Sequence, residues 1–228
     1  MDKITRKEMF DRVDLYTVTC ERLSAGRSDL EVLEAVIRGG GRIIQLREKD
    51  RSAGDFYRLA LKFREITSRA GTLLIINDHL DIALAVEADG VHLGREDLPV
   101  PVARRLAPDL LIGASSHSLE EALEAEREGA DYVNIGPIFP TGTKEGITRF
   151  LGPGAIRTIA PHLKVPWTVM GGINGANIDQ VIAAGACRVA VVTAVTQAED
   201  MAGAVASLRE RIKQGMDLMT FEADLKRT

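Results

Sequence analysis

IINDHLDIALAVEADGVHLGREDLP, residues Ile75 to Pro99, holds two polar turns, each fed by an apolar run. The runs are Leu73–Ile76 and Val91–Leu93, one helix apart. Short, β-branched and nearly continuous in apolar residues, they have the pattern of parallel strands buried on both faces. The first turn holds Asn77 and Asp78, and the second holds Arg95, Glu96 and Asp97. Two strand ends therefore both carry acid.

The same unit recurs along the chain. Runs of this kind predict strands at Asp14–Thr19, Arg42–Leu46, Leu73–Ile76, Gly90–Leu93, Leu111–Ala114, Tyr132–Ile135, Trp167–Met170 and Arg188–Val192. Amphipathic stretches at Leu30–Arg38, Ala53–Ala70, Ser118–Glu128, Ala176–Ala184 and Met201–Lys213 predict helices. Ser118 with Glu121 reads as a capping box. Glycines at 39–41, 71, 129 and 185 stand where helix C-caps belong. The joints EADGVHL, EGADYVNI and AGACRVAVV resemble one another, too loosely for a sequence repeat.

Eight strands with helices between them predict one (β/α)8 TIM barrel, an α/β fold. A doubly wound open sheet is the alternative, weakened because no GxGxxG follows the first strand. The chain of 228 residues reads as one domain, 1–228, with no low-complexity linker. Residues 1 to about 13 read as an extra N-terminal helix, and about 214–228 as a C-terminal extension, helical or frayed.

Composition narrows the function. Apolar content of 45% and charged content of 27% suit a globular protein, and a net charge of −4 gives no reason to expect nucleic acid. Cys20 and Cys187 have no CxxC spacing, so neither a disulfide framework nor a zinc site is expected. The N-terminus is too charged for a signal peptide, and no apolar run is long enough to span a bilayer. A cytoplasmic location is the expectation.

In a TIM barrel the active site lies at the C-terminal strand ends. Asp78 and Asp97 should face one another there, and Arg47, Lys49 and Lys144 stand near the same rim. Paired carboxylates beside basic groups, with no His/Cys cluster, suit Mg²⁺ bridging a polyphosphate. Gln45, Arg47 and Lys49 alternate along one extended segment and share one face. They make an anion or heterocycle site, since a core would not hold two unpaired cations. Thr141-Gly142-Thr143-Lys144 forms a flexible, hydroxyl-rich loop suited to a lid. Gly171-Gly172 and Val192-Thr193 stand where barrels hold phosphate on backbone N–H groups. His92 reads as a core residue, His117 as a capping or orienting group that could also serve as a base, and Cys187 as a small buried hydrophobe.

QLREKD, NDHLDIALAVEADGVHLGREDLP, IGASSHS, GADYVNIGPIFPTGTK and GGI together resemble the thiamine phosphate synthase family, in that family's order and from Ile43 to about Thr196. The resemblance implies a Mg²⁺-dependent transferase. It would join 4-amino-5-hydroxymethyl-2-methylpyrimidine diphosphate to 4-methyl-5-(2-phosphoethyl)thiazole by a dissociative substitution through a pyrimidine methyl cation. Thiamine phosphate and diphosphate are the implied products.

Carried over by motif, Asp78 and Asp97 match the Mg²⁺ ligands. Gln45, Arg47, Lys49 and Asn77 match the pyrimidine diphosphate site, and Ser115 and Lys144 match contacts to the diphosphate. Of these, Arg47, Lys49, Ser115 and Lys144 would act in catalysis. Thr141, Thr143, Gly172, Val192 and Thr193 match the thiazole phosphate side. His79, Met170 and Gly142 depart from the usual pattern without removing a ligand. The rivals are a thiazole tautomerase of the same superfamily, for which His117 would be the acid/base group, and a silent ligand binder of the same pathway. The partners implied are these small molecules, with a homo-oligomer left open.

Overall fold

Each of the eight apolar runs forms a strand, and the helices between them return the chain so that every strand runs parallel to the last. The computed structural model describes residues 1–143 and 149–225, the last seven of these by backbone alone. In order, the elements are α1 (Lys3–Asp11), β1 (Leu15–Val18), α2 (Asp29–Arg38), β2 (Ile43–Leu46), α3 (Ala53–Ala70), β3 (Leu73–Asn77), α4 (Leu80–Ala85), β4 (Gly90–Leu93), α5 (Val100–Leu106) and β5 (Leu111–Ser116). There follow α6 (Leu119–Arg127), β6 (Tyr132–Ile135), α7 (Gly154–Ile159), β7 (Trp167–Val169), α8 (Ile178–Ile182), β8 (Val189–Val191), α9 (Thr193–Thr196) and α10 (Met201–Leu225). The strands close into a barrel in sequence order, with β8 pairing to β1 through Leu15↔Val189 and Thr17↔Val191.

Alternation along the strands builds two cores. Leu15, Ile44, Leu46, Leu74, Ile76, Val91, Ile112, Val133 and Val189 face outward and pack under the helix ring. Tyr16, Val18, Ile43, Leu73, Ile75, Leu111, Tyr132 and Ala190 face inward and fill the barrel. Because both faces are buried, both sets are largely apolar, which is why the strands read as continuous runs.

The extra helix closes the bottom of the barrel. Phe10 of α1 stacks on the Tyr132 ring at 4.4 Å and belongs to the inner core. Lys3 and Lys7 reach Asp131 at 3.3 and 2.9 Å, and Arg6 reaches the Asp109 carbonyl at 2.8 Å. The loosely similar joints gain a reason here. Asp89 and Asp131 stand just before β4 and β6, each accepting a backbone N–H from the preceding strand, Leu74 at 2.9 Å and Ile112 at 3.0 Å. Each also pairs with an arginine of the outer ring, Arg64 and Arg104 respectively. The third joint has Cys187 at this position, half-buried rather than buried as expected, with Arg188 Nη1 3.4 Å from its sulfur.

Three expectations need adjusting. The Ser118–Glu121 capping box is only half made: Ser118 accepts from Glu121 N, but the Glu121 carboxylate accepts from His117 N, one residue earlier. The complete box is at Ser28 and Glu31. Strand β5 runs on to Ser116, because Ser115 and Ser116 pair with Asn134 and Ile135 of β6. The last helix runs past Lys213 to Leu225, so the C-terminal extension, expected as helical or frayed, is helical through that residue.

Candidate active site

The C-terminal strand ends converge on one pocket. Strand β2 brings Gln45, Arg47 and Lys49 to it, β3 brings Asn77 and Asp78, the turn after β4 brings Asp97, and β5 brings Ser115. On the opposite side Thr141 and Thr143 approach from the loop after β6, Gly171 and Gly172 from β7, and Val192 and Thr193 from β8. Every expected site residue among the described ones therefore lines a single cavity. Lys144 lies outside the described residues.

The two acids meet as the strand ends suggested. Asp78 follows directly on β3, where its N–H bonds the His92 carbonyl of β4 at 2.8 Å. Its φ of +62° is left-handed, a conformation that short polar residues such as Asp and Asn tolerate best after glycine. Asp97 accepts from Gly94 N at 2.7 Å, which folds its turn back over β4. Burial, and then the nearby Asp78, hold the Asp97 carboxyl above its ordinary range. Lys49 forms an ion pair with Asp78 and so partly offsets this charge. Two hard oxygen donors whose mutual repulsion is incompletely relieved fit a hard divalent cation such as Mg²⁺.

The floor of the pocket is polar in a way that the strand pattern hid. Tyr16, His92, Asn134 and Thr168 also line it, all from inward strand positions. His92 is buried and its imidazole is depressed to about pKa 4 by that burial, so the ring is neutral. The hydroxyls of Tyr16 and Tyr132 are pushed well above the usual phenol range by the same cause and stay protonated. Thr168 donates to Asn134 Oδ1 at 2.8 Å. The signal for these residues lay in strand register: polar side chains at inward positions near the C-terminal end of a barrel strand belong to the pocket floor.

The loops on the opposite side are built by local bonds. Thr143 N donates to Thr141 Oγ1 at 3.2 Å, which curls that loop. Gly171 and Gly172 take φ of +107° and +62°, and the Gly172 carbonyl accepts from Asn177 Nδ2 at 2.9 Å. His117 stands on the rim with Nδ1 2.9 Å from the Glu121 carboxylate, an orienting contact rather than a free base.

A second acidic group, Glu21, Asp29 and Glu48, was not foreseen. One carboxylate oxygen from each lies within 4.8 Å of the others. Asp29 is fully buried, and among the described residues no backbone N–H or cationic side chain donates a hydrogen bond to its carboxyl oxygens. Burial, and then Glu48, push its carboxyl up to about 8, so at neutral pH it keeps a proton that it can share with Glu48. Arg51 pairs with Glu21 and lies 3.7 Å from Asp29, setting a positive charge against the group.

Comparison with known proteins agrees along most of the chain. The family model described as thiamine monophosphate synthase matches residues 15–195. The chain is 49% identical over 195 residues to a thiamine-phosphate synthase of Chloroflexus aurantiacus, covering 86% of this chain and 90% of that protein. It is 42% identical over 204 residues to one from Pyrococcus abyssi, covering 90% and 97%. Among solved structures it is similar to a thiamine phosphate pyrophosphorylase from Pyrococcus furiosus, with a TM-score of 0.83 and 38% identity over 92% of this chain and 98% of that one.

Proposed function

The chain belongs to the thiamine monophosphate synthase family and is a transferase that makes thiamine phosphate; from that premise we propose how its own residues divide the work. The reaction joins 4-amino-5-hydroxymethyl-2-methylpyrimidine diphosphate to 4-methyl-5-(2-phosphoethyl)thiazole and releases diphosphate. The observation that carries the assignment is the two-sided pocket. Carboxylates and cations from β2 to β5 stand on one side, and glycines and hydroxyls from the ends of β6 to β8 stand on the other.

On the first side, Gln45 and Asn77 hold the pyrimidine ring, while Arg47, Lys49 and Ser115 meet its diphosphate. Asp78 and Asp97 would hold Mg²⁺, which when bound would supply charge neutralisation for the departing diphosphate. Lys49, which pairs with Asp78, would also be within the set of cations offered to the phosphate oxygens. Cationic and hydroxyl donors preorganised around the leaving group stabilise charge as it develops, and formation of a carbocation needs no general base. Lys144 joins them on the strength of the family motif. On the second side, Thr141, Thr143 and the backbone N–H groups at Gly172, Val192 and Thr193 hold the thiazole phosphate and aim the ring nitrogen at the pyrimidine methylene. The loop carrying Thr141 keeps water from that carbon.

No helix among the described residues is long and apolar enough to cross a membrane. We assign the work to the cytoplasm, where free thiols such as Cys20 and Cys187 persist.

The test is a diphosphate-release assay with the pyrimidine diphosphate and Mg²⁺, with and without the thiazole phosphate. Release should require both substrates and yield thiamine phosphate in equal amount. Release without the metal would remove the role given to Asp78 and Asp97.

A further inference from the structure

Five side chains form an unbroken line of hydrogen bonds beneath the pocket. Gln45 Nε2 donates to the Tyr16 hydroxyl at 2.8 Å, and the Tyr16 and Tyr132 hydroxyls are 3.0 Å apart. The Tyr132 hydroxyl is 3.1 Å from His92 Nδ1, and His92 Nε2 is 3.0 Å from Ser115 Oγ. The members come from β1, β2, β4, β5 and β6, so the line crosses the barrel interior from one wall to another. Its central residue, Tyr132, is fully buried and does not border the pocket. The ring fits only because Gly113 has no side chain: a Cβ there would lie 2.0 Å from Tyr132 Cζ.

Proton counting ties the two ends together. A hydroxyl and a neutral imidazole each carry one proton to donate, so with those protons spent within the line every inner member gives to one neighbour and takes from the other. The line therefore has two self-consistent polarities. In the first, the Gln45 amide N–H gives to Tyr16, Tyr16 to Tyr132, Tyr132 to His92 Nδ1, and His92 Nε2–H to Ser115. The Gln45 carbonyl and the Ser115 O–H then both face the pocket. In the second every bond is reversed: Gln45 turns its NH₂ to the pocket, and Ser115 spends its proton on His92.

We propose that Tyr16, Tyr132 and His92 are positioning residues that carry hydrogen-bond polarity from Gln45 to Ser115, so that the amino group of the bound pyrimidine commits the Ser115 proton to the leaving diphosphate. The inference rests on the substrate placement given under Proposed function. An aromatic amino group donates, so it meets the Gln45 carbonyl and selects the first polarity. In the second polarity Ser115 would offer an oxygen lone pair to an anion, which opposes departure of the diphosphate. Recognition of the ring on one wall thereby arms the donor on the other.

The test combines a double-mutant cycle with a spectroscopic readout. Tyr132→Phe removes the central hydroxyl and keeps the ring on Phe10. It should lower kcat by about 10- to 100-fold and leave the KM of each substrate within about twofold. Adding Ser115→Ala to that variant should cost far less than the same change costs the wild-type protein, because the two changes break one device. In ¹⁵N spectra of the wild-type protein with the pyrimidine diphosphate alone, His92 should carry its proton on Nε2, and Tyr132→Phe should move it predominantly to Nδ1. Losses that multiply, or a proton on His92 Nδ1 in the wild-type complex, would overturn the relay. Should Tyr132→Phe fail to fold, Tyr16→Phe interrupts the line one bond earlier and enters the same cycle. Wild-type protein that releases no diphosphate from the substrate pair would instead overturn the reading of the site itself.

Discussion

Replacing Asp78 by Asn separates the metal role from the structural one, because the structure predicts opposite sizes for the two effects. The backbone at Asp78 is left-handed, with φ of +62°. Asparagine accepts that conformation, whereas alanine there costs about 1–2 kcal/mol. The side chain pairs with Lys49, which is 54% exposed, so loss of the pair is worth at most about 1 kcal/mol. Relief of repulsion from Asp97 works in the other direction. Asp78→Asn should therefore shift Tm by no more than about 4 °C, and Asp78→Ala by several degrees more.

Cation affinity should respond far more. Asp78, Asp97 and Lys49 together present one net negative charge; with Asn they present none. One unit charge about 4 Å from a divalent cation is worth roughly 8 kcal/mol at an effective dielectric of 20 and roughly 2 in bulk water. A partly open site lies between these, and a loss of about 3–4 kcal/mol weakens binding by roughly 10²- to 10³-fold. The assay is diphosphate release titrated with Mg²⁺, beside direct Mn²⁺ binding to the protein without substrates. Asp78→Asn with an unshifted metal dependence in both would refute the reasoning.

Other expectations follow from single contacts. Asp29→Asn should flatten the pH dependence of stability. A buried carboxyl raised to about 8 keeps its proton in the folded chain while the unfolded chain releases it near 4, so wild-type stability falls as pH rises between those values. One such group contributes at most about 1.4 kcal/mol per pH unit, and denaturant melts of wild type and variant that remain parallel from pH 4 to 8 would contradict it. Arg209→Met leaves Asp14 buried without the guanidinium that now grips both its oxygens at 2.7 and 2.9 Å. The cost should be about 3–5 kcal/mol, near 10 °C in Tm, with substrate KM values unchanged; a shift under about 2 °C would count against it. Gly172→Ala adds a Cβ 2.3 Å from the Pro140 carbonyl oxygen at a φ of +62°. It should raise the KM for the thiazole phosphate about tenfold or more, and steady-state kinetics showing the loss in kcat alone would argue against a phosphate cradle there.

The sequence by itself determined the elements and their order. Strand runs such as Leu73–Ile76 and Tyr132–Ile135 are continuous because parallel barrel strands are buried on both faces, and glycines 71, 129 and 185 punctuate the helices by local chemistry. That order in turn identified the strand-end loops, and Gln45, Arg47, Lys49, Asp78 and Asp97 could be chosen because polar and charged residues at apolar strand ends stand out. Helices α5, α7 and α9, each of seven residues or fewer, left too short a period to read.

The tertiary structure decided which half of each strand faces inward, and continuous apolar burial conceals that choice. Tyr16, His92 and Tyr132 stand at inward positions, and only the closing of eight strands sets their polar atoms end to end. The same holds for Asp14 with Arg209, 195 residues apart, for Phe10 beneath Tyr132, and for the group of Glu21, Asp29 and Glu48. Periodicity is a property of neighbours in the chain, whereas hydrogen-bond partners and shared protons depend on neighbours in space, and barrel closure is what brings these residues together.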